Sequence, residues 1–345
     1  MKRKFKIIIH QITFSAIGGI QTSFIPLYRL FKIKSKHQHY LFGTHHVNDF
    51  YNEVKKDYKN YRKSVFNLVK FIFYVYSKNY IVHFYNNISS KKIYFFLKFF
   101  PSSNLIYHER GSIWSAKKKD FKTVNYNAKK FKTIIANSNA TKLILNKRFG
   151  IDKRKIKVIH NGHISKKFVI NDKGRYSKNF SIGFIGRLDT PKGIHILIEA
   201  AKEMKNCDFF IAGEGILKKQ LIESSKNKKN IFFLGRRDAL EFISRIDVLV
   251  VPSIREPLGN VIIEAGFCKK AVIASEVDGI PEIIKHNVSG ILIKPKNPLS
   301  IKNLPNNSVP IPDFVVVNKN LIKPREIDKN ELIFYINKLK SNIKY

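Results

Sequence analysis

At 345 residues, the chain is long enough for two domains of ordinary size, each with its own core. Its hydrophobic content of 44% is typical of a globular protein, and 64 Lys and Arg against 25 Asp and Glu give a formal net charge of +39. Because the lysines are scattered and form no basic arm, the charge does not by itself indicate nucleic-acid binding, although it would attract an anionic membrane surface. Cys207 and Cys268 are the only cysteines, which excludes a disulfide framework and favours a reducing cytoplasm.

The N-terminus resembles the start of a signal peptide, because the basic run Met1–Lys6 precedes the apolar run Ile7–Ile9. Polar residues interrupt that apolar region from His10 onward, so a first β-strand is the better interpretation. Residues 7–28 hold no charged side chain, but their polar residues and the Gly18-Gly19 pair argue against a membrane span.

In the first half, short apolar runs alternate with helical patterns. The predicted strands are Phe5–Thr13, His39–Gly43, Tyr80–Phe84, Asn104–His108 and Thr133–Ala136. The predicted helices between them are Thr22–Lys32, Lys63–Tyr76 and Lys91–Phe99. This alternation predicts an α/β fold whose parallel sheet has right-handed crossovers.

The second half repeats the pattern with shorter elements. Its predicted strands are Phe180–Ile185, Asp208–Ala212, Ile231–Leu234, Val248–Val251, Ala271–Ala274 and Gly290–Ile293. The polar stretch Asn171–Asn179 is interpreted as a linker. We therefore predict an N-terminal domain over residues 1–170, a C-terminal domain over 171–325 and a short C-terminal helix within 326–345.

Two carboxylates, Glu256 and Glu264, flank a turn and a helix start. The turn follows the apolar run Ile246–Val251, so it lies at the carboxyl end of a strand, where open α/β sheets bind ligands. Backbone amides near Gly259 and Asn260 would carry the positive end of the helix dipole, which suits a phosphate. Glu264 falls ~7.5 Å further along the helix axis, roughly the step from a pyrophosphate to its ribose, whereas Glu256 lies where a transferred sugar would be. For this spacing alone, two solvated glutamates are the alternative.

The residues around this segment resemble a known family. The run Ser253-Ile-Arg-Glu-Pro-Leu-Gly-Asn-Val-Ile-Ile-Glu-Ala-Gly, with Ala271-Val-Ile-Ala-Ser, Gly279-Ile-Pro-Glu-Ile-Ile and Ser289-Gly-Ile-Leu-Ile after it, closely resembles the donor-binding half of retaining glycosyltransferases of family 4 (glycosyl transferases group 1). Upstream, Ile182-Gly-Phe-Ile-Gly-Arg-Leu-Asp-Thr-Pro-Lys-Gly is similar to the family's G-R-L-x-x-x-K-G element. The resemblance runs from about residue 180 to 295. It implies the GT-B fold, in which two Rossmann-like domains face each other across a cleft, the first binding the acceptor and the second the nucleotide-sugar donor.

The resemblance also implies roles for individual residues at the donor. Arg187 and Lys192 match the family's pyrophosphate ligands, and their charges would neutralise a diphosphate leaving group in place of a metal ion. Glu256 would orient the sugar and Glu264 the ribose. The other residues expected to bind the donor are Gly18, Gly19, Gly186, Gly213, Leu234, Gly235, Arg236, Leu258, Gly259 and Asn260.

Four further candidates lie at the ends of predicted strands of the first half or directly after them. His83 ends a strand where the family often has a histidine facing the donor sugar, so we count it as catalytic together with Glu256, Arg187 and Lys192. His108 and Glu109 end the next strand and are expected on the acceptor side, where Arg110 would bind an anionic acceptor group. A core or capping histidine is the alternative for His83 and for His108.

Nothing in the sequence calls for a metal or a cofactor. The pair His45-His46 and the spacing His160-x-x-His163 lack companion carboxylates at ligand spacing, and no D-x-D pair is present. We therefore expect neither a metal site nor a cofactor, with the nucleotide sugar acting as a substrate.

The sequence thus predicts a cytoplasmic hexosyltransferase that moves a sugar, with retention, from a nucleotide-diphosphate donor to a glycolipid or saccharide acceptor. Assembly of lipopolysaccharide, capsule or another surface glycan is the expected setting, and the inner membrane face is a further expected binding surface. Helices Thr22–Lys32 and Lys63–Tyr76 mix aromatic and basic residues and would suit that surface, or else are core helices. The alternatives are a nucleotide-sugar epimerase or phosphorylase on the same fold and, last, a basic nucleic-acid or membrane-binding protein without catalysis.

Overall fold

The structure is a computed structural model, which describes residues 7–12, 19–43, 45–47, 52–76, 80–85, 88–89, 91, 104–162, 174–298 and 301. The chain divides into two compact units: unit 1 extends to Ile164, and unit 2 begins at Ser165. Each unit has its own parallel sheet.

The sheet of unit 1 has the order β3-β2-β1-β4-β5-β6-β7, and its strand pairs are parallel. Its strands are β1 (Ile7–Gln11), β2 (Gln38–Gly43), β3 (Tyr58–Asn60), β4 (Tyr80–Tyr85), β5 (Leu105–Glu109), β6 (Thr133–Ala136) and β7 (Ile156–Val158). Its helices are α1 (Gly19–Lys34), α2 (Asn52–Lys55), α3 (Val65–Tyr76), α4 (Phe121–Lys130) and α5 (Asn139–Lys147). The order reverses between β1 and β4, the kind of position at which parallel sheets bind ligands.

Large apolar side chains fill the core of unit 1 between the sheet and its helices. Phe42, Phe71, Phe84, Tyr107 and Phe131 are fully buried and belong to one cluster. Burying each such side chain contributes about 1.5–3 kcal/mol, so these aromatic residues account for much of the driving force for folding. Phe42, Phe84 and Tyr107 lie on strands β2, β4 and β5, whereas Phe71 lies on α3 and Phe131 directly follows α4.

The sheet of unit 2 has the order β10-β9-β8-β11-β12-β13, again with parallel pairs. Its strands are β8 (Phe180–Ile185), β9 (Cys207–Ala212), β10 (Ile231–Gly235), β11 (Val248–Val251), β12 (Ala271–Ser275) and β13 (Ile291–Ile293). Its helices are α6 (Ile194–Ala201), α7 (Lys218–Ser224), α8 (Ala239–Ser244) and α9 (Asn260–Phe267). As in unit 1, the first strand of the unit lies beside the fourth, where the order reverses.

The structure confirms the predicted α/β class with two Rossmann-like sheets, and the predicted strands are present with small shifts of their ends. The sequence did not predict β3 and β7, because each has only three residues and includes polar ones. The predicted helix Lys91–Phe99, apart from Lys91, and the predicted helix within 326–345 lie outside the described residues. In the described part of the chain, every helix is too short or too polar to cross a membrane.

Two glycines allow loops at the carboxyl edge of the unit 2 sheet to pack backbone against backbone. Gly193 precedes α6 with a φ of 67°, and a Cβ there would lie 1.8 Å from the carbonyl oxygen of Pro252. Gly213 has a φ of 140°, and its Cβ would lie 1.8 Å from the carbonyl oxygen of Gly186. Any larger residue would push these loops apart, so both glycines are required for the spacing of the loops.

We expect Gly193→Ala to destabilise unit 2 more than Gly174→Ala does. The two glycines have nearly equal φ, 67° and 69°, but a Cβ at Gly174 would meet nothing within 4 Å. Gly174→Ala should therefore lower the free energy of unfolding by about 1–2 kcal/mol, which is the cost of placing an alanine in the left-handed backbone conformation. Gly193→Ala adds a collision with Pro252 that should cost about 1–3 kcal/mol more.

Urea unfolding of the two variants and the parent measures the difference. Equal losses of stability in the two variants would show that the loop at Pro252 can move away from the added Cβ with no loss of free energy.

Candidate functional site

Glu256 lies in the loop between β11 and α9, and backbone hydrogen bonds fix this loop on two sides. On one side, the amide of Ile254 donates to the carbonyl oxygen of Pro191 at 2.9 Å. On the other side, the amide of Glu256 donates to Asp278 Oδ2 at 2.9 Å, and the amide of Gly279 donates to the carbonyl oxygen of Glu256 at 3.1 Å. The loop is therefore tied both to the segment after β8 and to the segment after β12.

The side chains of Lys192 and Glu256 form an ion pair, with Nζ 2.5 Å from Oε2. The hydroxyl of Ser253 donates to the same carboxylate oxygen at 3.2 Å. Glu256 is buried and Lys192 is partly exposed, so the lysine can be reached from solvent while the carboxylate is shielded. A buried carboxylate needs such partners to offset the loss of water. The structure thus brings together two predicted catalytic residues that are 64 positions apart in the sequence.

Arg187 belongs to the segment after β8 but does not join that ion pair. Its side chain is 72% exposed, and its Nη2 lies 3.1 Å from Asp189 Oδ2. Asp189 also caps the short 3-10 turn Thr190–Lys192, where its carboxylate accepts the amide proton of Lys192. One carboxylate therefore fixes the backbone of Lys192 and holds the guanidinium of Arg187.

The first turn of α9 begins beside Glu256. Gly259 precedes the helix with a φ of 100°, and no side chain in the described structure caps it. A Cβ at Gly259 would lie 3.6 Å from Glu256 Cγ, so the helix start and the carboxylate are neighbours. Leu258 and Ile262 are buried in the core and anchor this turn. The positive end of the helix dipole is therefore close to the Lys192–Glu256 pair.

Glu264 lies in the second turn of α9 and is half-buried. Burial and, to a smaller extent, the nearby charge of Asp238 together raise the pKa of its carboxyl group to about 7. Asp238 caps α8 and comes two residues after Arg236. Glu264 is therefore close to the loop after β10, where Leu234 and Gly235 at the strand end and Arg236 in the loop are expected to bind the donor.

The predicted glycine segments of unit 2 are hydrogen-bonded to one another through their backbones. The amide of Gly213 donates to the carbonyl oxygen of Gly235 at 2.8 Å, and the amide of Gly186 donates to the carbonyl oxygen of Ala212 at 3.1 Å. Leu234 is half-buried in this edge and Arg236 is exposed. The loops after β8, β9 and β10 thus form one continuous edge, and their contact with a donor stays a prediction, as it does for Asn260.

In unit 1, Gly18 lies outside the described residues, and Gly19 is the first residue of α1. His83 lies in β4 and is buried, and its Nδ1 is 3.0 Å from the hydroxyl of Tyr85. Its Nε2 has no hydrogen-bond partner among the described residues. Burial lowers the pKa of His83 to about 3, and the positive charge of Arg110 contributes. The ring is therefore neutral, with one nitrogen unused.

Glu109 is fully buried and its carboxylate is occupied by the chain itself. The amides of Gly111 and Ile113 donate to Oε1 at 2.7 and 3.1 Å. The hydroxyls of Tyr107 and Ser112 donate to Oε2 at 2.9 and 2.8 Å. In the structure Glu109 holds the loop after β5, and the acceptor contact that the sequence predicted for it stays a prediction.

His108 and Arg110 flank Glu109 and are also buried. The guanidinium of Arg110 donates from Nη2 to Asn161 Oδ1 at 2.8 Å. Burial lowers the pKa of His108 well below its ordinary value, with smaller contributions from Arg110 and His83. Both ring nitrogens of His108 are without a hydrogen-bond partner in the described structure. An acceptor contact for these two residues stays a prediction.

A layer of four histidines crosses one face of the unit 1 sheet: His39 on β2, His10 on β1, His83 on β4 and His108 on β5. His10 Nε2 lies 2.9 Å from His39 Nδ1, and the rings of His83 and His108 stack with centroids 5.5 Å apart. All four have pKa values lowered chiefly by burial, that of His39 to about 4. The sequence holds the signal, because these residues fall on one face once the strand register is known.

We expect unit 1 to lose stability as the pH falls from about 6.5 toward about 4. The folded state keeps the four histidines neutral, whereas the unfolded chain binds protons at the ordinary pKa of 6.5, so acid favours the unfolded state. Each histidine should lower the free energy of unfolding by up to about 1.4 kcal/mol per pH unit in this window.

The measurement is urea unfolding at several pH values, with amide hydrogen exchange reporting on unit 1. His39→Phe should flatten the pH dependence by about one proton, while His46→Gln, at an exposed histidine, should leave it unchanged. A pH dependence that is the same in all three proteins would contradict this account.

Residues 165–305 match the family model described as glycosyl transferases group 1. An uncharacterized glycosyltransferase of Methanocaldococcus jannaschii is 38% identical over 173 residues, which is 44% of this chain and 44% of that protein. The alpha-D-kanosaminyltransferase of Streptomyces kanamyceticus is 31% identical over 128 residues, or 32% of each chain. The chain thus spans less than half the length of these relatives.

Solved structures match over most of the chain. HepE from Anabaena, in complex with UDP-glucose, has a TM-score of 0.69 at 21% identity, covering 86% of this chain and 88% of that one. The lipopolysaccharide outer core galactosyltransferase WaaB, in its apo form, has a TM-score of 0.65 at 16% identity, covering 98% and 99%. At these identities the likeness establishes the fold alone. The chain therefore has the GT-B fold, with residues 165–305 matching the group 1 glycosyl transferase model.

Proposed function

We propose that this protein is a retaining glycosyltransferase that moves a hexosyl group from a nucleotide-diphosphate sugar to a hydroxyl of a glycolipid or saccharide acceptor. One observation carries the proposal: Lys192 and Glu256 meet at 2.5 Å beside the start of α9, inside the segment that matches the group 1 glycosyl transferase model. A cation, a carboxylate and a helix N-terminus in one place are suited to a sugar linked to a diphosphate.

The leaving diphosphate would be neutralised by Arg187, by Lys192 and by the amides at the start of α9. Arg187 is largely exposed and Lys192 is partly exposed, so both can turn toward a bound anion. Charges and dipoles fixed before the reaction stabilise a leaving group without reorganising solvent. In this proposal the protein supplies the positive charge itself and needs no cofactor.

The carboxylate of Glu256 would accept hydrogen bonds from hydroxyl groups of the transferred sugar. The carboxylate of Glu264 would accept hydrogen bonds from the ribose hydroxyls. The backbone contacts of Glu256 to Asp278 and Gly279 hold its carboxylate in place before the donor binds. Retention would follow if the acceptor hydroxyl attacks from the face that the diphosphate leaves, with a donor phosphate oxygen taking the proton. The resemblance to retaining enzymes supports this part of the proposal.

A uridine diphosphate sugar is the first donor to test, because HepE was solved with UDP-glucose. The similarity to a lipopolysaccharide galactosyltransferase supports a surface glycan as the acceptor. We propose the cytoplasmic side of a membrane as the place of reaction, where a lipid-linked acceptor and a soluble nucleotide sugar can meet.

A nucleotide-sugar epimerase on the same fold is the second candidate, since it would use the same donor contacts, and a phosphorylase is the other alternative. Measuring the release of nucleoside diphosphate with and without acceptor separates the three activities. A transferase releases it in step with glycosylated acceptor, whereas an epimerase releases none and a phosphorylase consumes phosphate.

We expect Glu256→Gln to lower the rate of transfer by about 100-fold or more, because the variant keeps the size of the side chain and loses its charge. The measurement is release of nucleoside diphosphate from UDP-glucose or another accepted donor. Glu276→Gln, at an exposed glutamate outside this loop, is the matched control and should retain full activity. Normal turnover of Glu256→Gln would remove Glu256 from the proposed mechanism.

We expect the affinity for the donor to weaken as the pH falls through about 7, the raised pKa of Glu264. Protonation leaves the carboxyl group a poorer acceptor for the two ribose hydroxyls, so affinity should drop about tenfold or more. Calorimetric titration with UDP-glucose from about pH 6 to 8 measures this, because that diphosphate does not itself titrate there.

Two variants test the assignment of this pH dependence. Glu264→Gln should bind weakly at every pH, and Asp238→Asn should move the midpoint to lower pH because it removes the neighbouring charge. If the pH dependence survives in Glu264→Gln, another group is responsible and the ribose contact is wrong.

A further inference from the structure

Helix α3 exposes a row of large apolar side chains on one face. Val65 is 77% exposed, Phe66 73%, Val69 59%, Phe73 58% and Tyr76 49%. At about 100° per residue, these five positions fall within an arc of about 100° around the helix. We call this surface the α3 apolar face.

The opposite side of the helix already supplies the core contacts. Phe71, Tyr74 and Val75 are buried against the sheet of unit 1. Helix α3 is therefore apolar on both sides, which is not needed for folding. A contiguous exposed apolar surface of this kind marks a site that contacts another molecule or a membrane.

Basic residues lie next to the α3 apolar face in the sequence, and acidic ones are missing from the same stretch. No Asp or Glu occurs between Tyr58 and His108, whereas Arg62, Lys63 and Lys70 lie in or next to the helix. The ammonium of Lys70 is 5.9 Å from the centre of the Phe66 ring, so cation and aromatic ring are presented together. A surface that combines apolar and cationic groups is complementary to lipid with anionic headgroups.

We propose that the α3 apolar face docks on an anionic membrane surface, with its aromatic side chains at the level of the acyl chains and its lysines at the headgroups. A second copy of this chain fits less well, because two such faces would bring like charges together. Helix α1 does not offer a comparable membrane-docking surface, since its Phe24, Tyr28 and Phe31 are buried in unit 1. The structure thus selects one of the two helices that mix aromatic and basic residues.

The proposed docking rests on the proposed function, because membrane binding would bring the protein to the surface that holds a lipid-linked acceptor. Binding to lipid can nevertheless be measured without turnover. The two proposals can therefore fail separately.

The test uses the full chain and sedimentation with two kinds of vesicle, phosphatidylcholine alone and phosphatidylcholine mixed with phosphatidylglycerol. The protein should sediment with the anionic vesicles, and added salt should weaken the binding. Phe66→Ser combined with Phe73→Ser should lower the partition coefficient about tenfold or more, because the apolar surface of two aromatic rings is lost. Lys70→Glu should weaken binding to the anionic vesicles only.

Ile216→Ser combined with Val288→Ser is the matched control, since it removes two exposed apolar side chains from unit 2. It should leave vesicle binding unchanged. Circular dichroism and the urea midpoint should show that both double variants are folded, as their mutated side chains are exposed.

Equal vesicle binding by the Phe66/Phe73 variant and the parent would overturn the inference. So would a change in oligomeric state of that variant on light scattering, without any loss of lipid binding, since a protein partner would then occupy the face. Donor-dependent release of nucleoside diphosphate on a soluble saccharide should be the same in the variant and the parent. If the parent shows no such release but binds vesicles, the proposed function fails and the docking surface stands.

Discussion

The loops that follow β8 and β11 are joined backbone to backbone, and the candidate donor site depends on this contact. The two strands are neighbours only because the strand order of unit 2 reverses there, which places two distant parts of the chain side by side. The carbonyl oxygen of Pro191 accepts an amide from the second loop, and the carbonyl oxygen of Pro252 occupies the space that a side chain at Gly193 would take. Without this close packing, Lys192 and Glu256 would have no fixed distance between them.

The charged residues at this edge fall into two energetic classes. The pair of Lys192 and Glu256 is partly shielded from water, so removing one partner leaves the other poorly solvated and costs several times more than breaking a surface pair. The pair of Arg187 and Asp189 is largely exposed and adds little to stability, about 0–1 kcal/mol. The first pair is therefore a structural element as well as a candidate for binding, whereas Arg187 can change its contacts almost freely.

The sequence was enough to predict the alternation of strands and helices and to place Lys192 and Glu256 in one site, because each lies in a local motif with its own spacing. It was not enough to find Asp189, Ser253 or Asp278, whose carboxylate and hydroxyl contacts depend on how separate loops meet. The histidine layer was missed for the same reason, since His10 lies beside His83 only in the observed register of β1 and β4. The loop contacts of Glu109 could not be predicted either, because a carboxylate at a strand end looks the same in sequence whether or not it holds its own loop.

The short distance between Lys192 and Glu256 has a consequence for selectivity. In a chain with a net charge of +39, an unpaired lysine beside a helix N-terminus would attract any small anion in the cell. Glu256 acts as a tethered competitor for that ammonium, so an incoming anion must displace a carboxylate that is already in place. Inorganic phosphate would replace the carboxylate at Lys192 but form no favourable contact with Glu256. A larger ligand with hydroxyl groups would bind Lys192 and also donate hydrogen bonds to the displaced carboxylate. The pair would then work as a filter that rejects simple anions and admits those carrying hydroxyl groups.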